Sequence, residues 1–204
     1  MNKIITIGRE AGSAGHTIGK MVADRLGIPC YDRELIDEAA KKSGLSPEFI
    51  ESNEQKTAGN LLHNLASGAS YTFGMMPNVG GQVQSLSEQL YNAQKAVITE
   101  FADKGSCVIV GRCADHILAD RDNVLKVFIY ADMENRIQRG IEVYGMTEAQ
   151  AIKEIKRYDK DRGHHYNVFT DEIWGDRHNY DLMINSKIGF ENCAKLICTA
   201  AEAE

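Results

Sequence analysis

The stretch Ile4 to Lys20, IITIGREAGSAGHTIGK, constrains this chain more than any other. A β-branched run stops at Gly8, glycines recur at Gly12, Gly15 and Gly19, and Ile18, Val22 and Leu26 follow on one helical stripe. A strand leading through a glycine-rich turn into a helix start shapes backbone for phosphate. Glycine lets main-chain N–H groups approach the anion, and the helix N-terminus adds partial positive charge. The usual phosphate loop closes on Gly-Lys-Ser/Thr, its lysine reaching the β- and γ-phosphates. Here the closing residues are Gly15, His16 and Thr17, so the loop is present without its lysine.

With 204 residues and 43% hydrophobic side chains, the chain can bury one core with a small appended subdomain. A net charge of −6 argues against a general nucleic-acid or membrane-surface binder, so any basic site must be local. The cysteines at 30, 107, 113, 193 and 198 form no Cys-x-x-Cys pair, and three of them fall in or beside apolar runs, which reads as buried thiols. No apolar stretch reaches the ~20 residues of a spanning helix. The N-terminal run is only a strand long, too short for a secretory leader, and a reducing cytoplasm is the expected compartment.

Along the chain, strands are predicted at 4–7, 28–31, 107–110, 124–130 and 181–184. Helices are predicted at 17–25, from Asp32 to 42, from Ser46-Pro47-Glu48, and at 82–103, 115–118, 132–143 (capped by Asp132), 147–162 and 189–200. From Thr57 to Ser87 there is no charged residue, and five glycines interrupt the segment. It reads as partly helical with a flexible apolar loop near Gly74–Gly81: a packed connection, a substrate cap or a dimer contact. Strands alternating with helices give an α/β fold with a parallel sheet.

Three further features carry chemistry. Arg112 follows Val108-Ile109-Val110-Gly111, at the carboxyl end of a buried strand, where open α/β sheets bind ligands. Its guanidinium offers a planar fork for phosphate or a base edge. Lys153, Lys156, Arg157, Lys160 and Arg162, set against Glu154, Asp159 and Asp161, make a basic helix end. Such a run is either a solvated face or a set of cations that close over a transferring phosphoryl group. Asp32, at a strand end, also sits where a dinucleotide fold places its ribose-binding acid, although the glycines at 8, 12 and 15 do not have that fingerprint's spacing. His164-His165 has no carboxylate–histidine spacing to support a metal site.

Taken in order, GREAGSAGHTIGK at 8–20, IPCYDRELI at 28–36, VIVGR at 108–112, VFIYA at 127–131 and KRYDKDR at 156–162 resemble the cytidylate kinase-like family of nucleoside monophosphate kinases. The resemblance implies one P-loop NTPase domain over 1–204: a five-stranded parallel sheet flanked by helices, a monophosphate-binding subdomain at about 32–90 and a lid at about 153–170. It implies transfer of the γ-phosphoryl of Mg-ATP to a nucleoside monophosphate, CMP or dCMP, with ATP and Mg2+ as cofactors. Gly8, Glu10, Gly12, Ser13, Ala14, Gly15, His16 and Thr17 would hold the donor phosphates, with the Thr17 hydroxyl on magnesium. Asp32, Arg33 and Arg112 would meet the acceptor, Arg157, Lys160 and Arg162 would be the lid cations, and Asp159 would orient one of them.

Two departures stand out. Gly15 takes the place of the phosphate lysine and Arg9 that of a loop glycine, while Val110 replaces an acid before the Gly-Arg pair. Arg9, always protonated, is then the expected substitute cation, with His16 second, and Glu10 or Asp115 could meet magnesium through water. The same departures open an alternative: a non-catalytic nucleotide-binding or regulatory protein on the same fold. The expected partners are small nucleotides, not nucleic acid or membrane, and a homodimer through the uncharged segment is open.

Overall fold

A computed structural model describes residues 3–32, 37–38, 41–42 and 86–203 of the chain. Strands β1 (Ile4–Arg9), β2 (Cys30–Tyr31), β3 (Cys107–Val110), β4 (Val124–Tyr130) and β5 (Leu182–Asn185) form one all-parallel sheet in the order β2-β3-β1-β4-β5. Around it lie α1 (Gly15–Leu26), α2 (Leu86–Lys104), α3 (Ala114–Ile117), α4 (Met133–Tyr144), α5 (Glu148–Thr170) and α6 (Phe190–Glu202). The α/β class with a five-stranded parallel sheet is as the sequence led one to expect.

β1 is central. It pairs with β3 from Ile4↔Cys107 to Ile7↔Val110 and with β4 from Ile4↔Val124 to Arg9↔Ile129. The chain builds the β3 side first and then lays β4 on the other, so the order reverses at the carboxyl end of β1. That reversal leaves the crevice where such sheets bind ligands. Strand residues buried on both faces explain the β-branched runs. Ile5, Ile7, Val108, Val110, Val127 and Ile129 pack with Ile18 and Val22 of α1 and Ile197 of α6. On the opposite face Ile4, Cys107 and Ile109 meet Leu90, Val97, Ile98 and Phe101 of α2. Cys107, Cys113 and Cys193 are buried.

Several local readings change. β1 runs through Gly8 to Arg9 instead of stopping at the glycine, because Glu10 N continues the ladder to the Ile129 carbonyl at 3.0 Å. α5 continues to Thr170, past Arg162, after the expected capping box of Thr147 and Gln150. Asp132 stands at the start of α4 but does not cap it; its carboxylate accepts from Asn185 and Lys187, both at 3.3 Å. Arg33, most of the 32–90 subdomain, the helix opening at Ser46 and the loop near Gly74–Gly81 lie outside the described residues. Among the described residues no helix is long and apolar enough to cross a membrane.

Candidate active site

The turn between β1 and α1 is held from beneath by side chains of later elements. Arg136, buried on α4, donates from Nε to the Ala11 carbonyl at 2.7 Å, and its terminal nitrogens pair with Glu10 at 3.2 Å and with Asp159. Asp159 of α5 accepts from Ala11 N at 2.7 Å, and Glu10 accepts from Ala131 N, just past β4, at 3.0 Å. Arg162 donates to the Arg9 carbonyl at 3.2 Å. β4, α4 and α5 thus fix residues 9–11 in place. Beyond them Gly12 (φ 79) and Ala14 (φ 66) bend the backbone, and α1 begins at Gly15 without a side-chain cap. An uncapped helix start behind such a turn is an anion-binding concavity.

Arg9 accounts for the missing lysine. A Cβ on Gly15 would lie 2.5 Å from Arg9 Cβ and 2.9 Å from its Cγ, and one on Gly111 would be driven into the Arg9 guanidinium. The Arg9 stem therefore crosses Gly15 and its head rests on Gly111, leaving no room for a side chain where the lysine would be. Asp32 steadies the arrangement, 3.7 Å from Arg9 Nη2 and 2.7 Å from His16 Nδ1. Gly111 is also in the left-handed region (φ 76), so Gly111→Ala combines a steric clash with backbone strain of ~1 kcal/mol. It should displace Arg9 and weaken binding of a non-hydrolysable ATP analogue at least tenfold by calorimetric titration; unchanged affinity would contradict this placement.

At the carboxyl ends of β1 and β3 opens a cleft of about 230 Å³, lined by Arg9, Arg112, Arg162, Asp115, Tyr166 and Tyr180 among others. Burial, then the charges of Arg9 and Arg112, push the Arg162 guanidinium down to about 9. Three mutually repelling cations in a half-enclosed cleft are relieved by a ligand carrying more than one negative charge. Burial raises the Asp115 carboxyl above the usual range and pushes the His165 imidazole down to about 4, so that ring is neutral near pH 7. Trp174 closes one wall, edge-on to Phe128 with ring centroids 5.5 Å apart.

Of the residues singled out in the sequence, Gly8, Arg9, Arg112 and Arg162 meet in this cleft, and Gly12, Ser13, Ala14 and Gly15 form the turn beside it. Asp159 holds the turn and Arg136, as Glu10 does from the other side. Arg157 instead turns to Glu154 at 2.6 Å and lies over the Tyr158 ring, and Lys160 is exposed; neither lines the cleft. His16 is largely exposed, and the Thr17 hydroxyl accepts from Arg139 at 3.0 Å. Arg136, Arg139, Tyr166, Glu172 and Tyr180 were not anticipated as part of a site; Asp115, expected to meet magnesium through water, lines the cleft and is bonded to Tyr166. Arg136 did leave a trace: Gly140, four residues on, packs against Ala151, which places Arg136 on the buried stripe of α4.

The donor set fits phosphate better than it fits a metal. Magnesium would find the Thr17 hydroxyl already held by a guanidinium and the Glu10 carboxylate engaged by Arg136 and Ala131. Among the described residues no group of three or more His, Cys, Asp or Glu is placed to hold an ion.

Residues 4–188 match the cytidylate kinase-like family. The chain belongs to that family. Among curated proteins none matches it by sequence. A solved structure of an uncharacterized protein from Eubacterium ventriosum is 28% identical, with a TM-score of 0.73 and 99% of each chain covered. Shikimate kinase from Acinetobacter baumannii, in complex with shikimate, is 14% identical at a TM-score of 0.53, covering 98% of this chain and 92% of that one. A gluconokinase from Sinorhizobium meliloti is 10% identical at 0.53, covering 98% and 91%. These two share the fold of this family member.

Proposed function

We infer that this cytidylate kinase-like protein transfers the γ-phosphoryl of Mg-ATP to a small acceptor, and that the acceptor is a nucleoside monophosphate, CMP or dCMP. The observation that carries the reading is the convergence of Arg9, Arg112 and Arg162 on one cleft beside an anion-binding turn. In-line phosphoryl transfer asks for positioning and electrostatic stabilisation more than for a nucleophilic side chain. Backbone N–H groups at the start of α1 would take the donor phosphates. Arg9 and Arg162 would neutralise the transferring group from the loop and from α5, and Arg112 would hold the acceptor. α5, already bonded to the loop through Asp159 and Arg162, would exclude water. The monophosphate-binding segment at about 32–90 and the lid at about 153–170 belong to the same proposal. The protein's part in the transfer runs through its guanidiniums, and no step is assigned to the metal.

The second reading, a nucleotide-binding regulator without turnover, draws on the Thr17 hydroxyl held by Arg139. An ADP-release assay with Mg-ATP separates the two, run over a panel of nucleoside monophosphates together with shikimate and D-gluconate. Turnover fastest with CMP or dCMP is the expected result. Stoichiometric ATP binding with no turnover on any acceptor would leave the regulator, and turnover on gluconate or shikimate alone would replace the acceptor class.

A further inference from the structure

One phenol sits between two carboxyl groups on the floor of the cleft. Tyr166 Oη is 2.8 Å from Asp115 Oδ2 and 2.8 Å from Glu172 Oε2. A hydroxyl has one proton and donates once, so both contacts are hydrogen bonds only if one carboxyl group donates to the phenol oxygen. The row Asp115–Tyr166–Glu172 therefore holds one proton more than two carboxylates and a phenol would. Asp115 is its closed end, 5% exposed; Glu172 is its open end, with its side chain 40% exposed and His116 Nδ1 3.5 Å from Oε1. Desolvation favours the neutral form at the closed end.

Tyr91 from α2, Tyr166 from α5, Tyr180 from the segment before β5, and Arg112, Cys113 and Glu172 supply the titratable groups around Asp115, with Arg9, Arg162 and His165 also lining the cleft. Tyr180, 8% exposed, lines the same cleft, and its hydroxyl belongs to the same polar cluster as Asp115 and Tyr166.

We propose that Asp115 takes the proton from the acceptor's attacking oxygen and that Tyr166 and Glu172 carry a proton out to solvent. As the bond from acceptor oxygen to Pγ forms and the bond from Pγ to the ADP oxygen breaks, the acceptor's O–H proton moves to one Asp115 oxygen. The proton on Oδ2 moves to Tyr166, and the phenolic proton moves to the Glu172 carboxylate, which gives it up to water. Asp115 is neutral before and after, so no bare carboxylate is ever buried. The acceptor must then present an O–H group, either a monoanionic phosphate or an alcohol. This rests on the phosphotransferase reading.

Two measurements on the full chain test it. Infrared difference spectra of wild type against Asp115→Asn at neutral pH should show a neutral carboxylic acid that the variant lacks. Its absence would overturn the shared proton whether or not phosphoryl transfer occurs. Turnover of Asp115→Asn and Tyr166→Phe is then compared with wild type, using Mg-ATP with CMP or with D-gluconate. Because positioned bases contribute ~10²–10⁴-fold, Asp115→Asn should lose about 10²-fold in kcat at a pH of ~5.5. With CMP, whose phosphate loses its second proton near pH ~6, the loss should shrink to a few-fold at a pH of ~8; with gluconate it should persist. Tyr166→Phe keeps the ring and should lower kcat about tenfold with KM little changed, the mark of a relay acting only in the transition state. Wild-type kcat in both variants at both pH values would overturn the relay and leave the kinase standing. No ADP release by wild type with either acceptor would overturn both.

Discussion

Replacing Arg9 with Ala should lower kcat/KM for ATP by about 10²–10³-fold, the cost of removing one preorganised charge donor from a transition state. Among the described residues Arg112 and Arg162 share the cleft, but it is Arg9 that lies over Gly15, where the loop lysine would stand. The stem of Arg9 occupies the space over Gly15, Lys20 on the second turn of α1 is exposed and does not line the cleft, and Arg139 is engaged by Thr17. Removing Arg9 also takes a cation from beside Asp32, adding local repulsion against an incoming phosphate. Arg9→Lys keeps the charge without the planar fork and should fall between wild type and Arg9→Ala. A steady-state titration of ATP at saturating acceptor reads the effect, and an Arg9→Ala enzyme within threefold of wild type would rule out the role. The exchange Arg9→Gly with Gly15→Lys is the complementary test. It clears the stem and restores the usual loop lysine, and should recover part of the activity that Arg9→Gly alone loses.

Arg136→Ala should give the largest loss of stability. The residue is 4% exposed, and its guanidinium joins Glu10, Asp159 and the Ala11 carbonyl. Removing one member of a buried ion network leaves the others uncompensated, at a cost of ~3–5 kcal/mol. For a domain of this size that lowers Tm by on the order of 10 °C. Arg136→Met, which restores volume without charge, should remain destabilised because two carboxylates still face each other. Adding Asp159→Asn to it should recover part of the loss, a coupling that a double-mutant cycle by urea denaturation reads directly. A loss below ~1 kcal/mol for Arg136→Ala would mean the network is solvated and does not hold the loop.

The fold was legible because its signals are local. β-branched runs at 4–7, 107–110 and 124–130, each followed by a helical stripe, are what a parallel sheet buried on both faces requires. The glycine-rich turn after β1 was legible for the same reason, as was the position of Arg112 at the end of β3. The interior of the site was not. Arg9 was recognisable as a spare cation, but its passage over Gly15 and Gly111 depends on β3 lying beside β1. Arg136 and Asp159 meet Ala11 across more than a hundred residues of chain, and nothing in the polar run around Arg136 marks it as buried except the spacing to Gly140. The basic run at 153–162 reads in sequence either as a solvated face or as one set of closing cations. A helix shows its residues to different sides, so Arg162 reaches the loop while Arg157 pairs within its own helix and Lys160 faces solvent. Asp115 and Tyr166 are 51 residues apart in the chain, and only the folded chain shows that the Tyr166 hydroxyl lies between the Asp115 and Glu172 carboxyl groups.

Phosphorus NMR of wild-type protein with Mg-ATP and CMP tests the central claim most directly, because it follows the phosphoryl group itself. CDP and ADP should appear in equal amounts, and the signals should fail to develop with Arg9→Ala. ATP bound but unchanged, or ADP accompanied only by inorganic phosphate, would contradict transfer to a nucleoside monophosphate.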